Sequence, residues 1–398
     1  MTTPFRCHAV AVAASIALAA VVTPALSQSQ LAVSPTPSFV DPTVQLLGNA
    51  NIGLGGLVFI GPFARLTAPT STLYIRVGSE SNVQDNAEVN ASTGAISLGR
   101  QVILAHGAVV KGPAQIGMTG TCPVRTQTTC PSFVSFNAVV DGAIVQKNAM
   151  VSALARVGPG VTIPSGRKVL SGANVTSNAQ VTAKSVAVVQ ADLDFMNGVI
   201  AVNREFAVGY SEMAAAEPSK VRGIGPNPVT LFDPVEVLPT LNGLPTADPG
   251  FRNRIIGDVR IGNTLAELKR RMGGQVSLRA DEGHPFRIGS IDSMASKTTF
   301  HALETTDLSV GLNGRYGFHS VVHGGGAAGA MIAGDNVVVG DWSVLFRSLV
   351  GSGTTIGYKS LVQQADLPPG TVVPDCTVII GAGAARVTSP VEWCDITP

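Results

Sequence analysis

Charge is scarce in this chain: 13% of its 398 residues are Asp, Glu, Lys or Arg, and the formal net charge is +1. With no basic excess there is no electrostatic footprint for nucleic acid, and with no acidic block there is no solvated tail. Aromatic residues are scarce too, at 5%, so small aliphatic side chains must fill any core. Past the N-terminus no apolar run reaches the ~20 residues of a spanning helix. What the chain has instead is 44 glycines and 25 prolines. That composition favours a turn-dense β protein over a helical bundle or a disordered chain.

The first residues read as an export signal. Arg6 and His8 give a weakly positive start, an apolar run follows from Ala9 to Val22, and Ala25-Leu26-Ser27 has the form of a small-x-small cleavage site. This predicts a secretory signal peptide over 1–27 and a periplasmic or extracellular protein. Cys7 would leave with the signal. Cys122, Cys130, Cys376 and Cys394 remain, an even number suited to an oxidising compartment. Sequence proximity favours the pairs Cys122–Cys130 and Cys376–Cys394, and the spacings match no four-cysteine zinc pattern.

From Phe39 to Thr182 aliphatic residues recur at a spacing near six, separated by Gly, Asn and Asp turns. Leu46 to Gly61, Ile96 to Gly117 and Ala143 to Gly166 all show it. Such a period predicts an all-β fold, a parallel β-helix of hexapeptides in which each unit forms one flat side and its aliphatic residue stacks inward. The period fades after Gln190, and Asn203 to Ala214 reads as a short helix closing the first β-helix domain (39–215). Residues 216–249 are Pro-rich and read as an extended linker. The period returns at Ile255, interrupted by a short helix from Asn263 or Thr264 to Gly273. The stretches beginning at Val134 and Val337 align by pattern, which predicts a tandem duplication with a second β-helix domain over 250–398.

Four of the six histidines fall between Arg279 and His323: His284, His301, His319 and His323. Imidazoles beside carboxylates, in a chain this poor in charge, point to a metal site with proton-transfer groups. The residues there carry a resemblance. Arg279-Ala280-Asp281-Glu282-Gly283, His301-Ala302-Leu303-Glu304 and His323-Gly324 resemble the gamma-class carbonic anhydrases. In the first half, Asn82-Val83-Gln84-Asp85, His106 and Asn203 match other parts of the same family pattern. Arg65 stands for the family's arginine there, displaced by about three positions.

The resemblance implies left-handed coils, a homo-oligomer built on three-fold packing, and a metal held between neighbouring β-helices by three histidines. Neither half holds all three. The second supplies His301 and His323, with Phe318 at the third position and His319 beside it as a rival ligand. The first supplies His106, with Asn90 and Lys111 where its other two ligands belong. The expectation is one composite site of His106, His301 and His323. A reciprocal set of Asn90, Lys111 and Phe318 cannot ligate.

Zinc is the expected metal, and iron or cobalt suit the same ligands. The implied reaction is reversible hydration of carbon dioxide to bicarbonate. Gln84 would orient the attacking oxygen, Glu282 would sit near it, Glu304 would carry the proton outward, and Asn203 would line the site. Arg279, Asp281, Asp85 and Arg65 would hold the interface by ion pairs. Ligand loss in both halves supports an alternative, a non-catalytic scaffold or assembly subunit. A hexapeptide acyltransferase shares the solenoid, but export removes it from cytosolic acyl-CoA.

Overall fold

The computed structural model describes residues 32–33, 36–122, 129–228, 236–282, 284–303, 306–325 and 330–398. The predicted signal peptide, Gly283 and Glu304 lie outside the described residues. Among those residues, short strands stack in six sheets. Sheets A, B and C hold seven, eight and seven strands from the first half, and sheets D, E and F hold nine, eight and five from the second. Nearly every pairing is parallel and joins a strand to the one a full coil later. Ile144 pairs with Thr162, and Met150 with Lys168. The antiparallel exceptions lie at sheet ends, with Arg167–Val169 against Ser185–Ala187, Thr377–Ile380 against Val387–Pro390, and Thr240–Leu241 against Leu244–Pro245.

The six-residue period builds this prism directly. On sheet C, Val89, Val110, Val140, Val157 and Val175 lie in one register column, all buried. Full burial of a valine stabilises by about 1.5–3 kcal/mol, so each coil adds its own increment to a continuous core. A second core of like character fills the later stack. The corners demand left-handed backbone. Asn86, Gly107, Asn137 and Leu154 form one ladder of positive φ, and Gln275, Lys297, His319, Trp342, Lys359 and Cys376 form another.

Those two corner ladders pack against each other, joining the stacks side by side. Asn86 Nδ2 donates to the carbonyls of Gln275 and Lys297, each at 3.2 Å. Two coils further, Asn137 Nδ2 donates to the carbonyls of His319 (2.9 Å) and Trp342 (3.0 Å). Further along, Trp393 Nε1 donates to the Leu154 carbonyl at 2.6 Å. Sheet B of the first stack thereby faces sheet D of the second, and Ile103, Phe133 and Phe136 pack with Val321, Val344 and Phe346.

Helix α1 (Gln190–Ala216) is longer than the short helix expected from Asn203 onward. Its buried stripe begins nearly three turns earlier, at Leu193 and Met196. Asp192 stabilises that end by accepting from the Val189 N–H at 3.0 Å, where carboxylates favour a helix start. Gly198 inside the helix has open space around it. Helix α2 (Leu265–Arg271) is as expected, capped by Thr264 with Glu267. The Pro-rich stretch does more than link. Ile224–Gly225 pairs with Ile255–Ile256, and Thr240–Leu241 with Arg260–Ile261, so these residues add to sheets D and E. Both expected disulfides are present. No described helix is long and apolar enough to cross a membrane.

Candidate metal centre

Sheet D places Arg279, His301, His323 and Phe346 in one register column. The pleat turns this column outward, toward sheet B. Opposite it, the strand Val102–Leu104, followed by Ala105, delivers His106 just before the corner at Gly107. That corner requires glycine. Its φ is +71°, and a Cβ there would lie 2.0 Å from Asn137 Oδ1 and 2.9 Å from His319 Cε1.

The structure brings His106, His301 and His323 together, with ligand atoms all within 4.8 Å of one another and all three residues buried. His301 Nδ1 lies 3.2 Å from His106 Nε2 and 3.2 Å from His323 Nε2. The outer nitrogens face acceptors. His323 Nδ1 donates to the Gly324 carbonyl. His301 Nε2 lies 3.0 Å from Glu282 Oε1 and 3.3 Å from Asp281 Oδ1. His106 Nδ1 turns to Asp85 Oδ1 at 3.6 Å, longer than a hydrogen bond. The Gly324 carbonyl holds the His323 N–H outward, and carboxylates lie behind the other two rings, so the remaining lone pairs point at a common region, as in metal-ligating histidines. Three lone pairs this close repel one another unless a cation or proton lies between them, so the donor set fits a metal ion.

Electrostatics separate the three rings. Burial, followed by the charges of His301 and Arg279, pushes His106 well below the usual imidazole range. Burial and His301 do the same to His323. For His301 burial acts in that direction too, but the Glu282 and Asp281 carboxylates outweigh it and raise the ring to about 9.

Behind the rings lies a buried ion network. Arg279 Nε donates to Asp281 Oδ2 at 2.9 Å, and its Nη1 to Asp85 Oδ1 at 2.6 Å. The guanidinium lies against the rings of Phe59 and Phe206, 5.2 and 5.0 Å from their centroids. Asp85 also accepts from Ser277 Oγ. Phe136 stacks on His106 with ring centroids 5.9 Å apart, and Phe346 lies 5.6 Å from His323.

Other expected positions fall differently. Glu282 sits against the outer nitrogen of His301, on the side away from the three converging ligand atoms. Gln84 is buried directly before Asp85. Asn203 is buried on α1, its Nδ2 donating to the Val199 carbonyl of its own helix at 2.8 Å. Arg65 is exposed on sheet C in register with Glu88, and it is Arg279 that pairs with Asp85. His319 is no rival ligand. It occupies the corner one residue beyond Phe318, stacks on Trp342 at 4.0 Å, and places Nδ1 3.1 Å from Asn137 Oδ1. Asn90, Lys111 and Asp141 share a column of sheet C, whereas Phe318 lies beside Lys297 and Trp342. The sequence reading missed Tyr210, whose hydroxyl donates to Asp281.

The fold and the site define a hexapeptide-repeat parallel β-helix protein with a buried three-histidine group between its two stacks. Known proteins agree with that class. The chain is 31% identical over 132 residues to the carboxysome assembly protein CcmM of Nostoc sp., a match covering 32% of this chain and 23% of that protein. It is 31% identical over 136 residues to the mitochondrial gamma carbonic anhydrase 1 of Arabidopsis thaliana, covering 32% and 43%. To the carbonic anhydrase of Methanosarcina thermophila it is 28% identical over 188 residues, covering 44% of this chain and 72% of that one. These relatives support a gamma-carbonic-anhydrase-like hexapeptide-repeat protein. The chain spans less than a quarter of the length of CcmM, the 23% given above. No protein-family model matches it.

Proposed function

We propose that the chain is a gamma-type carbonic anhydrase, hydrating carbon dioxide reversibly at one metal site built between its own two β-helices. The carrying observation is the convergence of His106 Nε2, His301 Nδ1 and His323 Nε2 across that interface. These three would hold the ion. Zinc bound there supplies a Lewis acid that makes water nucleophilic near neutral pH; iron or cobalt accept the same donors.

This chain's own residues do the rest. Glu282, Asp281 and the Gly324 carbonyl hold the N–H groups of His301 and His323 outward. Arg279 pairs with both interface aspartates, Asp85 and Asp281, where they face the rings. Phe136 and Phe346 form an apolar wall that excludes bulk water and suits an uncharged substrate. Gln84 and Asn203 are the buried amides available to orient the reacting oxygen, and Glu304, next but two to His301, carries the proton outward. The two disulfides support an exported, oxidising setting. The ligand set needs no second copy of the chain.

Metal content and carbon dioxide hydration of the purified protein test this. Hydration that requires metal, with both lost in His106→Ala and in His301→Ala, is the expected result. Hydration that persists without metal would overturn it. Asn90, Lys111 and Phe318 leave the reciprocal positions without imidazoles, and this favours a second reading, an assembly subunit that keeps the metal for structure. That reading predicts bound metal with no hydration.

A further inference from the structure

The phenol of Tyr210 is buried on α1 and takes no part in the ligand set, yet its hydroxyl donates to Asp281 Oδ2 across the interface. The same oxygen accepts from Arg279 Nε at 2.9 Å. Two donors thus occupy Oδ2. Oδ1 has no hydrogen-bond donor of its own among the described residues and lies 3.3 Å from His301 Nε2. A carboxylate fixed at one oxygen by two donors from different elements cannot rotate freely about its Cβ–Cγ bond. Its second oxygen is therefore held toward the outer nitrogen of His301.

We propose that Tyr210 is a positioning residue for the metal site, orienting His301 through Asp281 and so making helix α1 of the first half part of the ligand support in the second. The inference rests on the reading of the three histidines as metal ligands. Its elements are independent of that reading. Phe39 and Phe59 hold the Tyr210 ring, with centroids 5.0 and 5.8 Å away. Burial, Asp281 and the hydrogen bond all push the phenol well above its usual range, so it stays protonated and can only donate its proton here. Arg279 Nε, which can only donate, takes the same oxygen, so Asp281 accepts from both partners. The direction of both hydrogen bonds is fixed, and with it the face that Asp281 offers His301.

Removing the hydroxyl while keeping the ring isolates this role. In Tyr210→Phe, Oδ2 loses one of its donors, and Asp281 gains freedom to turn away from Nε2. Loss of an outer-shell partner of a metal-bound histidine lowers metal affinity about 10–100-fold. Cobalt is the probe, because its visible absorption reports ligand geometry directly. The full-length protein is titrated with Co²⁺ against a competing chelator, alongside Tyr210→Phe and Met213→Ala. Met213 is buried one turn along the same helix, and truncating it destabilises α1 without touching Asp281.

The expected result is a roughly tenfold or greater loss of cobalt affinity with altered absorption in Tyr210→Phe. Met213→Ala should lower the melting temperature of the metal-free protein while leaving affinity and absorption within about twofold of wild type. Unchanged affinity and spectrum in Tyr210→Phe would overturn the proposal. So would an equal affinity loss in Met213→Ala, which would make the effect one of helix stability. A wild-type protein that takes up no cobalt would overturn the metal site itself, and this inference with it.

Discussion

His301 Nδ1 lies 3.2 Å from His106 Nε2, although the two residues are 195 positions apart in the chain. The contact exists because two β-helices lie side by side with their corner ladders interlocked. Metal binding should therefore depend equally on both halves. His106→Ala, His301→Ala and His323→Ala should each abolish stoichiometric metal, while His319→Ala should retain it. Elemental analysis of the four proteins checks this.

Gly107 is where the fold leaves no room beside a ligand. An added Cβ would lie 2.0 Å from Asn137 Oδ1, and the φ of +71° disfavours any side chain by about 1–2 kcal/mol. In Gly107→Ala the corners must separate, carrying His106 away from His301. We expect a lower melting temperature and at least a tenfold weaker affinity for metal in chelator competition.

The Arg279 network should dominate interface stability. Its guanidinium is buried and pairs with Asp281 and Asp85 from opposite stacks. Removing one partner of a buried ion pair strands the other charge and costs about 3–5 kcal/mol. Arg279→Met leaves two carboxylates facing each other without a cation, and chemical denaturation should report a loss of that order. Lys111→Ala, on the partly exposed face of sheet C, should change neither stability nor metal content appreciably.

His319 should impose a pH dependence on folding. Burial, with Lys297 adding to it, lowers its ring to about 3 from 6.5. The unfolded chain therefore binds a proton that the folded chain refuses between those values. Stability from this group is complete above about 6.5 and declines as pH falls toward 3, with a slope of up to about 1.4 kcal/mol per pH unit. His319→Gln should flatten that slope in denaturation curves measured between pH 4 and 7.

The sequence makes legible whatever depends on local period or short motif. The six-residue spacing is the stacking rule of the coils, so Val89, Val110 and Val140 announce their own column. His301 and His323 are recognisable because neighbouring residues carry the motif, and His106 because the second half lacks a third imidazole. Other features depend on how the two stacks meet. His319 differs from Phe318 by one place, and only the corner geometry shows that this place turns toward Asn137. Tyr210 approaches Asp281 from a helix laid across the interface, which no spacing encodes. The helix begins thirteen residues before Asn203, at Gln190, where Asp192 serves its N-terminus. Arg65 matched a motif position approximately, but residue 65 lies on an outer face of the prism.

Metal stoichiometry tests the central claim most directly. The protein, loaded with zinc and freed of excess metal, is assayed for ions per chain together with His106→Ala. One ion per chain, lost in His106→Ala, is what a single site shared between the two β-helices requires. Two ions per chain, or one that survives His106→Ala, would contradict it.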